Sequence, residues 1–214
     1  MRIGIIGGTG PQGRGLARRF AAAGHAVVLG SRSAERAHEV AAAYAELGDV
    51  TGDTNAGAAA AELVVVTVPY EGHAALLAEL AGPLAGKIVV DCVNPLGFDG
   101  QGPYALPVEA GSAAQEAQQL LPGSTVVAAF HHVSAVRLED PAITTFDEDV
   151  LVLGEDREAV GVVIDLAAAA LPGGRGVFAG RLRNAHQVEA LTANLIAVNR
   201  RYKTHAGLRI TDLP

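Results

Sequence analysis

The chain has one cysteine, Cys92, in 214 residues. An internal disulfide is therefore impossible, which fits a reducing cytoplasm, and no cysteine pair is available for redox work. Cys92 follows the apolar run Ile88-Val89-Val90 and Asp91, where a packed, unreactive thiol is expected. No apolar stretch reaches the roughly 18 residues of a membrane helix. The first residues already read as a strand, which leaves no room for a signal peptide. Lysine is nearly absent, with only Lys87 and Lys203. Haem and metal-cluster motifs are missing. Positive charge is scarce as well: 16 Lys+Arg stand against 23 Asp+Glu, a net charge of −7, which argues against nucleic acid as a partner.

The charge is unevenly spread. Residues 1–174 carry 9 bases against 21 acids, while residues 175–214 carry 7 against 2. Such asymmetry predicts that the basic stretch meets something anionic or pairs with the acidic part of the chain. Half of the residues are hydrophobic and 18% are charged, the composition of a folded domain with a well-buried core.

The organising feature is Gly7-Gly8-Thr9-Gly10-Pro11-Gln12-Gly13, directly after the apolar run Ile3–Ile6. Gly8, Gly10 and Gly13 fit G-x-G-x-x-G between a strand and a helix, the context that marks a dinucleotide-binding turn. The first glycine permits the tight turn, the second admits a pyrophosphate, and the third lets helix pack on strand. Pro11 suits the first helical position, where an N–H has no partner. Strands and helices then alternate: strands at 26–30, 50–53, 63–68, 87–92, 125–129, 150–153 and 176–178; helices at 14–23, 33–47, 56–61, 71–80, 112–121, 157–170 and 184–201. This rhythm predicts an α/β fold, a doubly wound parallel sheet, with residues 1–180 as a nucleotide-binding domain and 181–214 as a small C-terminal helical extension. Residues 94–111, with three prolines and four glycines, read as a long irregular loop, and such a loop inside a domain is usually functional.

The second strand ends in Gly30-Ser31-Arg32-Ser33, with Arg36 one turn on and no carboxylate at the strand end. A hydroxyl and two guanidinium groups suit the 2′-phosphate of NADP, because arginine gives bidentate charge-assisted bonds. Ligands of such sheets lie across the carboxyl ends of the strands. Pro69 and Tyr70 are placed to flank the adenosine or the pyrophosphate, and His131-His132-Val133-Ser134-Ala135 to lie near the nicotinamide.

Several of these stretches resemble the coenzyme F420-dependent NADP oxidoreductases: Arg2 to Gly10, Gly30-Ser31-Arg32, Val68-Pro69-Tyr70-Glu71, and Ala129 to Arg137, together with the total length. The resemblance implies that Thr9, Gly10, Gln12, Ser31, Arg32 and Arg36 bind NADP, that Val133 and Ala135 lie between the two rings, and that the protein is a homodimer. It further implies hydride exchange with F420, a 5-deazaflavin. Hydride transfer from carbon to carbon needs alignment and exclusion of water, and no acid or base. His131 or His132 would hydrogen-bond a ring carbonyl or the nicotinamide amide. The bases Arg181, Arg183, Arg200 and Arg201 have the right sign for the anionic F420 tail. Two other classes share the fingerprint: an imine or hydroxyacid reductase, which needs a proton donor in a larger second domain, and a non-catalytic NADPH sensor.

Overall fold

The computed structural model describes residues 1–213, so Pro214, the end of the expected C-terminal segment, lies outside the described residues. The first strand is β1 (Arg2–Ile6), with four of its five residues buried. β1 is flanked by β2 (Ala26–Ser31) and β4 (Leu63–Val66), and β3 (Val50–Thr54) closes one edge beyond β2. On the other side follow β5 (Ile88–Asp91), β8 (Thr125–Ala128), β9 (Asp149–Gly154) and β10 (Arg175–Gly180), giving one eight-stranded sheet.

Helices cover both faces, as a sheet of near-continuous apolar strands requires. Successive side chains of a strand point to opposite faces. Thus Ile3, Ile5, Leu63 and Val65 pack with Leu16 and Phe20 of α1 (Pro11–Ala22) and Val163 and Leu166 of α7 (Arg157–Ala170). Ile6, Val64 and Val66 pack with Leu77, Leu80 and Leu84 of α4 (His73–Leu84), Ala113, Ala114 and Ala117 of α5 (Ala113–Leu120) and Val188 of α8 (Ala185–Tyr202). Among the described residues no helix is long and apolar enough to cross a membrane.

Three expectations need correction. The sheet is not wholly parallel: β9 runs antiparallel to β8, and β10 runs parallel to β9. After β8 the chain meets only the five-residue α6 (Ala135–Glu139) before β9. A parallel pairing needs a crossover that carries the chain back to the far end of the sheet; residues 129–148 contain none. The segment expected as an irregular loop holds an antiparallel hairpin, β6 (Leu96–Asp99) and β7 (Gly102–Ala105), packed against α8. The helix expected over 33–47 ends early. It is α2 (Ala34–Ala42), followed by one 3-10 turn, Ala45–Leu47.

Candidate active site: two cavities at the first turn of α1

The glycine turn is built as its spacing requires. Gly7 takes φ +73°, a conformation that favours glycine. A Cβ on Gly13 would lie 2.6 Å from Cα of Gly8, so the third glycine is what lets α1 sit against the turn. A Cβ on Gly8 would meet the Leu29 side chain and the Ile5 carbonyl. Gly8 and Gly13 are therefore buried packing positions. Asn55, at the start of α3 (Asn55–Ala58), accepts a hydrogen bond from Gly7 N–H at 3.1 Å and pins the turn from below. α1 begins with Gly10 as N-cap and Pro11 at its start, with no side chain capping it. Its first-turn N–H groups, at the positive end of the helix, are thus available to an anion.

Above this turn lies a cavity of about 820 Å³, lined by Gly7, Thr9, Gly10, Pro11, Ser31, Arg32, Asn55, Thr67, Val68, Pro69 and the α4 face at Gly72, Ala75, Leu76 and Glu79. Thr9, Gly10, Pro11, Ser31, Arg32 and Pro69 come together as expected. Arg36 does not join them. Its guanidinium pairs with Glu39 at 3.2 Å on the exposed face of α2, one turn along, while its backbone N–H donates to the Ser33 cap. Tyr70 also stays out of the lining and packs its ring 6.1 Å from that of His73.

A second cavity, of about 390 Å³, is lined by Gln12, Cys92, Asn94, His131 to Val136, and by Thr192, Leu195, Ile196 and Asn199 of α8, with His205 and Ala206 beyond it. His131, Val133, Ser134 and Ala135 meet here. Gln12, expected with the nucleotide residues, belongs to this cavity, and its Nε2 donates to the Phe130 carbonyl at 3.2 Å. Phe130 has φ +63° and turns the chain sharply after β8. The carbonyl of His131 accepts from Asn94 Nδ2 at 2.8 Å and from Thr192 Oγ1 at 3.0 Å.

Burial lowers both histidines to a pKa of about 4, with the His131 ring further disfavouring charge on His132. The ring of His132 accepts from Leu151 N–H through Nε2 at 3.3 Å, which leaves its proton on Nδ1. Neither ring nitrogen of His131 has a well-formed partner. Cys92 is buried, and burial raises its thiol well above the ordinary value, the signature of an unreactive thiol.

Behind the two cavities lies a buried polar cluster that sequence patterning did not single out. His73 Nε2 is 2.6 Å from Asp91 Oδ2, and Nδ1 is 3.1 Å from Glu116 Oε2. Burial alone would lower the His73 pKa; the two carboxylates outweigh it and raise it to about 9. Nearby, Glu189 of α8 accepts from the backbone N–H groups of Ala113 and Ala114 at 3.0 and 3.1 Å. Burial raises its pKa to about 7, against the pull of those two donors.

Three of the seven bases in the C-terminal stretch are committed within the chain. Arg175 makes a two-pronged bond to Asp149 at 2.8 and 2.9 Å. Arg209 pairs with Asp147 and Asp149 at 3.4 and 3.5 Å, and Arg181 lies 3.5 Å from Glu155 on the surface. Pairing with the acidic part of the chain thus accounts for part of the charge asymmetry.

A mostly parallel sheet with a capless helix start at its carboxyl edge, and a second cavity beside the first, defines a dinucleotide-binding protein of the oxidoreductase type. Residues 2–95 match the family model described as NADP oxidoreductase, coenzyme F420-dependent. The F420-dependent NADP reductase of Methanothermobacter thermautotrophicus is 39% identical, covering 100% of this chain and 96% of that protein. The chain therefore belongs to the F420-dependent NADP reductase family. A crystal structure from Arthrobacter sp. FB24, assigned as an F420-dependent NADP-reductase, superposes with a TM-score of 0.85 at 30% identity, covering 99% of each chain. An imine reductase from Streptomyces aurantiacus superposes with a TM-score of 0.62 at 22% identity over 94% of this chain and 62% of that one; that likeness shows a shared fold.

Proposed function

We propose that this protein transfers a hydride between NADP(H) and coenzyme F420, with the nucleotide in the larger cavity and the deazaflavin in the smaller. The observation that carries the reading is the adjacency of Pro11 and Gln12. Consecutive residues at the start of α1 line different cavities, so ligands filling both would meet at that turn. When bound, the two rings supply the redox chemistry, a hydride passing between ring carbons.

The protein's part is placement. The first-turn N–H groups of α1 hold the pyrophosphate, and Ser31 with Arg32 takes the 2′-phosphate. Asn55 keeps the glycine turn in shape. Val133 and Ala135 present small apolar surfaces at the meeting point. His132, neutral with its proton on Nδ1, offers a donor and no charge. No side chain is asked to move a proton at the reacting atoms. Arg183, Arg200, Arg201 and Lys203 have no ion pair among the described residues and suit the anionic tail of F420. Within the expected 181–214 extension, residues from Thr192 of α8 to Ala206 beyond it complete the second cavity.

The same reading makes the protein a homodimer. Phe98 of the hairpin and Val198 and Tyr202 of the adjoining α8 are exposed at 68%, 38% and 73%, apolar side chains suited to cover by a second copy.

Mixing the protein with NADPH and purified F420 without oxygen, while following the deazaflavin absorbance, tests the function. Bleaching that requires both the protein and NADPH is expected. Reduction of an imine or oxo acid with no bleaching of F420 would overturn it in favour of the rival reductase reading.

A further inference from the structure

We propose that His73 is a positioning residue for hydride transfer: by bridging Asp91 and Glu116 it fixes the turn at Asp91–Asn94, which anchors the His131 carbonyl in the second cavity. This rests on the hydride-transfer reading above and goes beyond it in assigning a role to a residue that touches neither ligand cavity.

His73 is fully buried at the start of α4. Its neighbours Gly72, Ala75 and Leu76 line the nucleotide cavity. Its partner Asp91 precedes Cys92 and Asn94, which line the other. Asp91 Oδ2 meets His73, and Oδ1 accepts from Val93 N–H at 3.0 Å. One carboxylate thereby sets the direction in which the chain leaves β5. The next residue, Asn94, grips the His131 carbonyl, and Thr192 of α8 grips it from the other side. His131 opens the turn that carries Val133 to Ala135. The path from His73 to the proposed ring contact is therefore an unbroken series of hydrogen bonds and short chain segments.

Both ring nitrogens face carboxylate oxygens, so both must carry protons and the ring is an imidazolium. Burying an imidazolium is costly, and the attraction of its carboxylate partners offsets the cost only with good geometry. A site that needed packing alone would be served as well by apolar side chains; the geometry is what this triad supplies. The groups facing His73 are Asp91 from β5, Glu116 from α5, Tyr70 from the preceding 3-10 turn and, further off, Glu189 from α8. When the ring loses a proton, one N–H is left to serve two carboxylates, one of the two bonds is lost, and the bridge between Asp91 and Glu116 opens.

The test is single-turnover reduction of F420 by NADPH-loaded protein between pH 7 and 10.5, well below the melting temperature, with circular dichroism at each pH. The wild-type rate should fall with an apparent pKa near 9 while the fold and NADPH affinity hold. His73→Gln should remove that alkaline limb and lower the rate at pH 7 on the order of 10- to 100-fold, the usual penalty for small misplacement. Should His73→Gln fail to fold, Glu116→Gln decides: with one carboxylate gone the limb should move to lower pH. An unchanged limb in the folded variants, or a rate that falls only as the fold is lost, overturns the proposal. A second readout is independent of turnover: the side-chain amide resonance of Asn94 should shift with the His73 titration. If wild-type protein reduces no deazaflavin, the functional reading fails, and this resonance alone decides the inference; its indifference to pH overturns it.

Discussion

Arg32 lines the nucleotide cavity at the end of β2, and Arg36 faces Glu39 instead. The proposed 2′-phosphate site therefore rests on Arg32 and Ser31. Arg32 would reach only that phosphate, an interaction equal in ground and transition states, which alters KM and leaves kcat. A hydrogen bond to a charged group contributes roughly 1.5–3 kcal/mol, and each 1.4 kcal/mol is about tenfold. Steady-state kinetics at saturating F420 should show Arg32→Ala raising KM for NADPH by about 10- to 150-fold, with turnover of NADH nearly unchanged. Arg36→Ala should change little. A proportional loss with NADH would assign Arg32 to the fold. The glycines, Ser31 and Arg32 were legible because their spacing is fixed by backbone geometry, which sequence records directly. Asn55, His73 and Glu189 were not. Each acts on a partner 48, 18 or about 75 residues away, and nothing local announces a contact that only the closed sheet creates.

Among elements, α6 is the least expected and among the most tightly held. Its C-terminal end is met by one buried guanidinium. Arg19 of α1 donates to the carbonyls of Arg137, Leu138, Asp140 and Ile143 at 2.7–2.8 Å and lies over the Phe146 ring at 4.8 Å. Lysine cannot reproduce this fork. Arg19→Met leaves buried carbonyls unpaired and should cost about 3 kcal/mol or more. For a chain of this size that is a fall in Tm of roughly 6–12 °C, measured by thermal denaturation. Arg19→Lys should lie between. A melting temperature that does not move would mean that water replaces the guanidinium. The β6–β7 hairpin turns through Gly100 and Gln101. Asp99 accepts from Gln101 and Gly102 N–H at 2.7 and 3.1 Å. Three prolines nearby and exposed aromatic residues hid the strands, because one face of the hairpin is covered by α8 and not by the main sheet. The reversal at β9 was illegible for a different reason: an apolar strand reads the same in either direction.

For the whole molecule, the hairpin and the second half of α8 leave an apolar surface open at Phe98, Val198 and Tyr202. If this face joins two copies, Phe98→Glu combined with Tyr202→Glu should convert a dimer to a monomer by light scattering at micromolar concentration, since like charges facing across an interface destabilise it. An unchanged mass would place the interface elsewhere. The matched family region, residues 2–95, is also the half whose alternation of strands and helices was readable in order. Beyond it the chain changes strand direction, and the second cavity joins Gln12, Cys92 and Asn94 of that region to residues 131–136 and 192–206.

One residue step, about 3.8 Å between consecutive Cα atoms, separates the linings of the two cavities at Pro11 and Gln12. Nothing in that step can store an electron pair: the chain's single cysteine has no partner to form a disulfide, and proline and glutamine are not redox-active. Under the proposed hydride transfer, donor and acceptor would have to be bound together. Initial-rate plots at several fixed F420 concentrations should therefore intersect, as for a ternary complex, and not run parallel as in a ping-pong scheme. In many enzymes product release and not the transfer itself sets turnover, which makes release the step to examine first when turnover is slow.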